Sequence, residues 1–371
     1  MPGTCLALAR LILVLLIAGA AAVRGIRAAE LKQRLRRFGI STSEVFEKEE
    51  LVTLLRTRVA PEAAGTGHCV PLELASARAG AMGAGVSVDS KSYYGLRFDE
   101  CDGVLWLIDS AASNSVLSPA AADLLNARAT GVVASASSAS ETTGGFKQVD
   151  LGDVSTFGLA CGPLKPVVMP LPVGDSSALV GLLGLDFLSR FECELRLRAE
   201  MPCATLHPSG AISRSDVQLD AMVPLSCTRL PTGLLATRVR VGSASRGEAE
   251  AVIDLGSSVT VASMAAAAAA GLTSDDPRLR LTETVIAGAS GEPIRTREAQ
   301  FDLSLGDGGE PSLQAQRRLP VSVADLPVFG ALGMHGAAMV LGIDALAPNA
   351  DAAGSRVVLA AGRDQVWVEV T

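Results

Sequence analysis

The chain has 371 residues, enough for two globular domains and a small additional element. Its formal net charge of −7 argues against a nucleic-acid-binding body, which would carry a basic face. Aromatic residues make up only 4% of the chain, so the core is expected to consist of small aliphatic side chains, with little stacking surface for sugars or bases.

The first segment has secretory character. Arg10 supplies positive charge, Leu11 to Ala18 an apolar core, and Ala18, Ala20 and Ala22 small residues suited to cleavage, which gives an expected signal peptide over residues 1–22. The apolar stretch to Val23 is short of the roughly 20 residues a membrane span needs, so an uncleaved membrane anchor is the lesser alternative. A basic run follows (Arg24, Arg27, Lys32, Arg34, Arg36, Arg37), an order that also suits a bipartite plastid signal. The compartments the sequence admits are therefore the secretory pathway or exterior, a plastid, or a membrane surface.

Residues 28–58 read as a helical hairpin. Leu31, Leu35 and Phe38 recur at helical spacing, Gly39 is placed to end the first helix, and Leu51, Val52, Leu54 and Leu55 form a second apolar face. Its basic helix is expected to be a solvated or protein-contact surface. Residues 59–74 read as a linker.

Short β-type runs dominate from there on. Ser92 to Phe98 and Val104 to Ile108 are expected strands around an Asp102-Gly103 turn. The second of these runs into Asp109-Ser110-Ala111-Ala112-Ser113. Ser118, nine positions after the aspartate, opens an alanine-rich helix ending near Asn126, and a hairpin around Gly144-Gly145 follows. The set closes on Leu182-Leu183-Gly184-Leu185-Asp186-Phe187-Leu188.

The same order then recurs. Leu234 to Val241 and Ala249 to Ile253 are expected strands, followed by Asp254-Leu255-Gly256-Ser257-Ser258. Ser263, again nine positions on, opens an alanine-rich helix ending near Gly271; a hairpin spans Gly288 to Gly291, and Val340-Leu341-Gly342-Ile343-Asp344-Ala345-Leu346 closes the set. Agreement at both phrases, in order, is a tandem duplication at domain scale, with lobes over 75–212 and 213–371. Asp186 and Asp344 stand at the start of a closing helix and read as N-terminal caps.

Removal of the signal would leave Cys69, Cys101, Cys161, Cys193, Cys203 and Cys227. An even number in a secreted chain suggests disulfides, with buried thiols as the alternative, and spacing cannot choose a connectivity. No C-x-x-C pair occurs, and His68, His207 and His335 are scattered outside any zinc-protease or nucleophile-elbow pattern. The glycines between Gly80 and Gly85 lack dinucleotide-binding spacing. No metal and no cofactor is expected.

An apolar run ending in aspartate and small residues, then a helix, a glycine-containing hairpin and Leu-Leu-Gly-x-Asp-x-Leu resembles the retropepsin-like aspartic proteases. The likeness covers roughly residues 75 to 371, as two units in one chain, and Gly181 to Phe191 is especially close to cellular members. It implies a mainly β fold of two closed β-barrel lobes (the acid protease fold), here preceded by the small α-helical hairpin, which itself resembles the SAP-like module. It also implies an aspartic endopeptidase acting as a monomer on a peptide or protein substrate in extended conformation, with no nucleic acid partner. Asp109 and Asp254 would be the catalytic dyad, Ser110, Ala111, Leu255 and Gly256 the active-site loops, and Gly144, Gly145, Gly288 and Gly291 parts of flaps. Two departures stand out. Ala111 occupies a position where the family has glycine, and Leu255 one where it has a hydroxyl that clamps the two loops together. They motivate the alternative of a pseudoprotease that binds or scaffolds peptides without turnover.

Overall fold

The computed structural model describes residues 67–76, 92–137, 142–171, 180–199, 201–243, 247–287, 293–306, 314–348 and 354–370. The expected signal peptide and SAP-like hairpin lie outside the described residues, as do Gly288 and Gly291.

Two halves repeat one wiring pattern within a mainly β fold that includes a closed six-stranded barrel. In the first half, strand Leu105–Ile108 pairs antiparallel with Ser92–Leu96 and parallel with Val180–Leu183; the short strand Val116–Leu117 packs antiparallel on the same Val180–Leu183 and parallel on Val167–Val168. In the second half, Gly247–Ile253 pairs antiparallel with Leu235–Val241 and parallel with Ala338–Leu341. Val261–Ala262 then lies antiparallel on Ala338–Leu341 and parallel on Ala315–Val323. The duplication read from the sequence is thus a duplication of topology.

Burial explains the local patterns. Leu105–Ile108 and the carboxyl half of Gly247–Ile253 are continuous apolar runs because they are covered on both faces, and Trp106, Leu107, Ala251, Val252 and Ile253 are all at most 2% exposed. The scarce aromatic residues concentrate in the first lobe, where Phe98 meets Trp106 and Phe187 edge-on at ring separations of 5.6 and 5.4 Å. The alanine-rich segments form short helices, Pro119–Leu124 and Met264–Ala269. Ser118 and Ser263 cap them through Oγ, accepting the N–H of Ala121 and Ala266. Asn126 and Gly271 follow in the left-handed region, which stops each helix where the sequence indicated.

A six-stranded antiparallel sheet joins the halves, in the order His68–Pro71, Cys203–Pro208, Phe191–Leu197, Ser355–Ala360, Gln365–Glu369, Met222–Arg229. Each half supplies three strands, and the central contact is Phe191–Leu197 with Ser355–Ala360. The interval read as linker therefore ends earlier than residue 74: His68–Pro71 and Glu73–Ser76 are strands, the first recruited by sheet pairing that no local periodicity reveals.

The remaining differences from the sequence reading are local. All six described cysteines carry thiols, with Cys101, Cys161 and Cys193 buried. Gly144 and Gly145 lie inside strand Thr142–Asp150 rather than at a hairpin tip. The ladder with Arg128–Ser137 breaks register there, between Ala134 and Ala136, and Gly145 sits at φ 89°, so glycine serves a β-bulge.

Candidate active site

Asp109 and Asp254 each leave the end of a central strand, and each backbone N–H donates to the closing strand of its own half, Asp109 to Leu183 O and Asp254 to Leu341 O, both at 3.0 Å. The closing phrases hold these loops in place symmetrically. Leu185 N donates to Ala112 O and Ile343 N to Ser257 O, both at 2.8 Å. Gly184 and Gly342 are required by this crossing, because a methyl there would lie 2.6 Å from the carbonyl carbon of Asn114 or 2.5 Å from that of Val259.

Asp186 and Asp344 do not cap their helices, a correction to the sequence reading. The cap residues are Gly184 and Gly342, with no side-chain bond. Each carboxylate instead reaches back to the segment that follows the aspartate of its own half. Asp186 accepts both the N–H and the hydroxyl of Ser115 at 2.7 Å, and Asp344 accepts the N–H of Thr260 at 3.0 Å and its hydroxyl at 2.6 Å. The same hydroxyls accept the N–H of Gly184 and Gly342 at 3.2 and 3.1 Å. Position two of a one-turn helix points across the chain crossing, and that tertiary placement decides the partner.

The two aspartate loops meet each other. A methyl on Gly256 would lie 2.7 Å from Asp109 Cγ and 2.9 Å from its Oδ1, so the Asp109 carboxyl rests on the backbone two residues past Asp254. Gly256 N–H meanwhile donates to Asp254 Oδ1 at 2.8 Å, and Ala111 N–H to Asp109 Oδ1 at 2.9 Å. Between the loops, Ser110 Oγ donates to Ile253 O at 2.8 Å and accepts the N–H of Leu255 at 2.9 Å. Leu255 contributes only its backbone; its side chain is buried in the core, 2% exposed. The clamp between the halves is therefore one-sided.

Both carboxyls titrate above the ordinary carboxylate range. Burial raises Asp109, opposed by the N–H groups of Ala111 and Ala112. Burial also raises Asp254, and the neighbouring charge of Asp109 raises it further, against the N–H groups of Gly256 and Ser257. Neighbouring carboxyls that resist ionising together give up their protons in separate steps. Neither has a hydroxyl partner in its loop: Ala112 has none, and Ser257 Oγ donates to Val259 O at 2.8 Å.

Tyr93 is a neighbour that the sequence reading did not single out. Gly95 pairs with Leu107 and Leu96 with Trp106, and the same register continued brings Tyr93 opposite Asp109. Tyr94 turns inward and its hydroxyl accepts the N–H of Arg198 at 2.8 Å, so strand alternation turns Tyr93 to the aspartate side. Its phenol is held above its usual range by burial, then by the charges of Asp254 and Asp109. The corresponding register position beside Asp254 is Leu234. Alternation within Ser92–Leu96 was the available signal, but it needed the pairing register to become specific.

Among the described residues, no group of three or more His, Cys, Asp or Glu side chains is arranged to hold a metal ion, and no helix is long and apolar enough to cross a membrane. No protein-family model matches the chain, and no curated protein sequence matches it. Among solved structures, the chain is similar to basic 7S globulin from soybean, at 11% identity and a TM-score of 0.43, over 83% of this chain and 95% of that one.

Proposed function

We propose that this chain is an aspartic endopeptidase whose dyad is Asp109 and Asp254. The observation that carries the reading is the seating of the Asp109 carboxyl against Gly256, beside Asp254, with both carboxyls titrating high. One carboxyl of such a pair is ionised and takes a proton from a water molecule, which attacks the scissile carbonyl carbon. The other donates its proton to the carbonyl oxygen, giving a neutral gem-diol. Collapse of that diol breaks the C–N bond, and a dyad proton passes to the departing amine. The substrate is a peptide in extended form, recognised through backbone hydrogen bonds and alternating side-chain contacts. Both aspartates of the pair lie on one chain, so a monomer suffices. The apolar run from Leu11 to Ala18 supports entry into the secretory pathway.

Since both carboxyls are raised, the singly protonated pair belongs to a higher pH range than ordinary carboxylates would give, and cleavage is expected to persist toward neutral pH. The test is incubation of the signal-free protein with a mixed peptide library from acidic to neutral pH, beside Asp109→Asn and Asp254→Asn. Cleavage by wild type alone supports the enzyme. Equal cleavage by all three, or none by a folded wild type, overturns it. Peptide binding without cleavage would favour the scaffold reading, toward which Ala111 and the missing hydroxyl at Leu255 point.

A further inference from the structure

The six described cysteines divide by environment. Cys161 and Cys193 are 5% and 0% exposed, and their thiols engage the carbonyls of Leu159 and Leu188. Burial pushes both up to about 12, as it does Cys101, so these thiols are chemically quiet. Cys69 and Cys203 differ. Cys69 stands opposite Thr205, and Cys203 stands opposite Pro71 on one side and Arg196 on the other. Residues paired across a ladder share a face, as do residues two apart along a strand, so both thiols emerge on the same face as Arg196. That face is partly open to solvent, with both cysteines half-buried and Arg196 exposed.

The two thiols hydrogen-bond each other, and the contact acts in opposite directions on them. Cys203 is lowered by its bond to Cys69, with Arg196 also favouring the thiolate against burial and the charge of Glu194, while Cys69 is raised, mainly by that same bond. One member of the pair is thus an activated nucleophile and the other its proton-bearing partner.

We propose that Cys69 and Cys203 are a redox-active dithiol that closes into a cross-strand disulfide, stapling His68–Pro71 to Cys203–Pro208. The oxidant is a small-molecule disulfide of the glutathione type. The Cys203 thiolate attacks one of its sulfurs and releases a thiolate, leaving a mixed disulfide on Cys203. Cys69, its proton passing to the released thiolate, then attacks the Cys203 sulfur and expels the second thiolate, which takes up from solvent the proton Cys203 gave up on ionising. The protein loses two protons and two electrons, and the oxidant takes them up to become two thiols.

The placement also argues that the bond is reversible. Diagonal neighbours on a ladder stand about 7–8 Å apart, with their Cβ atoms somewhat closer. A disulfide needs about 3.8 Å, so the strand must shift to close it. His68–Pro71 can shift, because it is four residues long and lies at the edge of its sheet. A bond formed against such a shift is more readily reduced than a relaxed one.

The test equilibrates the full chain with mixtures of reduced and oxidised glutathione, followed by intact mass and non-reducing peptide mapping. The expected result is an intramolecular loss of two hydrogens and a cross-linked peptide containing Cys69 and Cys203. It reverts on adding excess reduced glutathione and is absent from Cys69→Ser and Cys203→Ser. Mapping of the wild type does not depend on how the variants fold. Separate glutathione adducts on the two cysteines, a different cross-link, or no oxidation of either overturns the proposal. Peptide cleavage plays no part in the readout.

Discussion

Ser110 Oγ sits between the two halves of the molecule, donating to Ile253 O at 2.8 Å and accepting from Leu255 N at 2.9 Å across 145 residues of sequence. Both ends are buried, with Ser110 at 0% and Leu255 at 2% exposure. Ser110→Ala leaves the Leu255 N–H without its acceptor, and a buried orphan of this kind costs about 1–3 kcal/mol. Urea unfolding should show that loss, while Ser110→Thr, which retains the hydroxyl, should recover most of it. An alanine variant as stable as wild type would mean the bridge contributes nothing.

Gly342→Ala should be strongly destabilising, since its methyl would stand 2.5 Å from the Val259 carbonyl carbon and oxygen, which are backbone atoms and cannot rotate away. Overpacking of this kind costs about 1–3 kcal/mol, occasionally more. Gly336→Ala is the matched control, because nothing lies within 4 Å of a methyl there. Its effect should stay within about 0.5 kcal/mol. Thermal midpoints of the two variants, measured side by side, check the contrast.

Asp344→Ala removes the acceptor for both the N–H and the hydroxyl of Thr260, a residue with 0% exposure. The expected loss is at the upper end of about 1–3 kcal/mol, because the bonds go to a charged group and two donors are stranded. Asp344→Asn keeps an acceptor oxygen and should lose less. Equal losses in the two variants would show that the carboxylate's bonds to Thr260 are not the source of the effect.

The dyad sets a pH dependence of stability. Asp109 is raised from 3.8 to about 6 in the folded chain, chiefly by burial. Well below 3.8 the carboxyl is protonated in both folded and unfolded states and carries no penalty. Between those values the unfolded chain gives up the proton while the folded chain keeps it. Stability therefore falls as pH rises through that interval and levels off above it. Asp109→Asn should accordingly raise the melting midpoint at pH 7, and the gain should vanish well below pH 3.8. A gain of the same size at both pH values would locate the effect outside the ionisation of Asp109.

Much of the molecule was legible in the chain itself. Repetition of the Asp109 and Asp254 phrases, Ser118 and Ser263 as caps, and Gly184 and Gly342 in the closing phrases follow from local steric and hydrogen-bonding rules that act over a few residues. The hairpin indicated around Gly144-Gly145 is present, but the glycines form a bulge in its second strand; glycine serves tips and bulges alike, and only the pairing with Ala134 and Ala136 separates them. Asp186 and Asp344 were misread for a related reason: an aspartate near a helix start is usually a cap, and the loops that claim these two carboxylates lie 71 and 84 residues away.

By itself, then, the sequence determined the duplicated halves, their strand and helix order, and the two aspartates that repeat with them, because burial periodicity and capping are written in short windows. Tertiary structure alone decided which groups meet. It set Asp109 against Gly256, gave the cross-lobe bridge to Ser110 while Leu255 went to the core, turned Tyr93 toward the dyad, and brought Cys69 to Cys203. Those contacts depend on sheet register between strands far apart in the chain, and register is settled by the joint burial of both partners, which no single segment encodes.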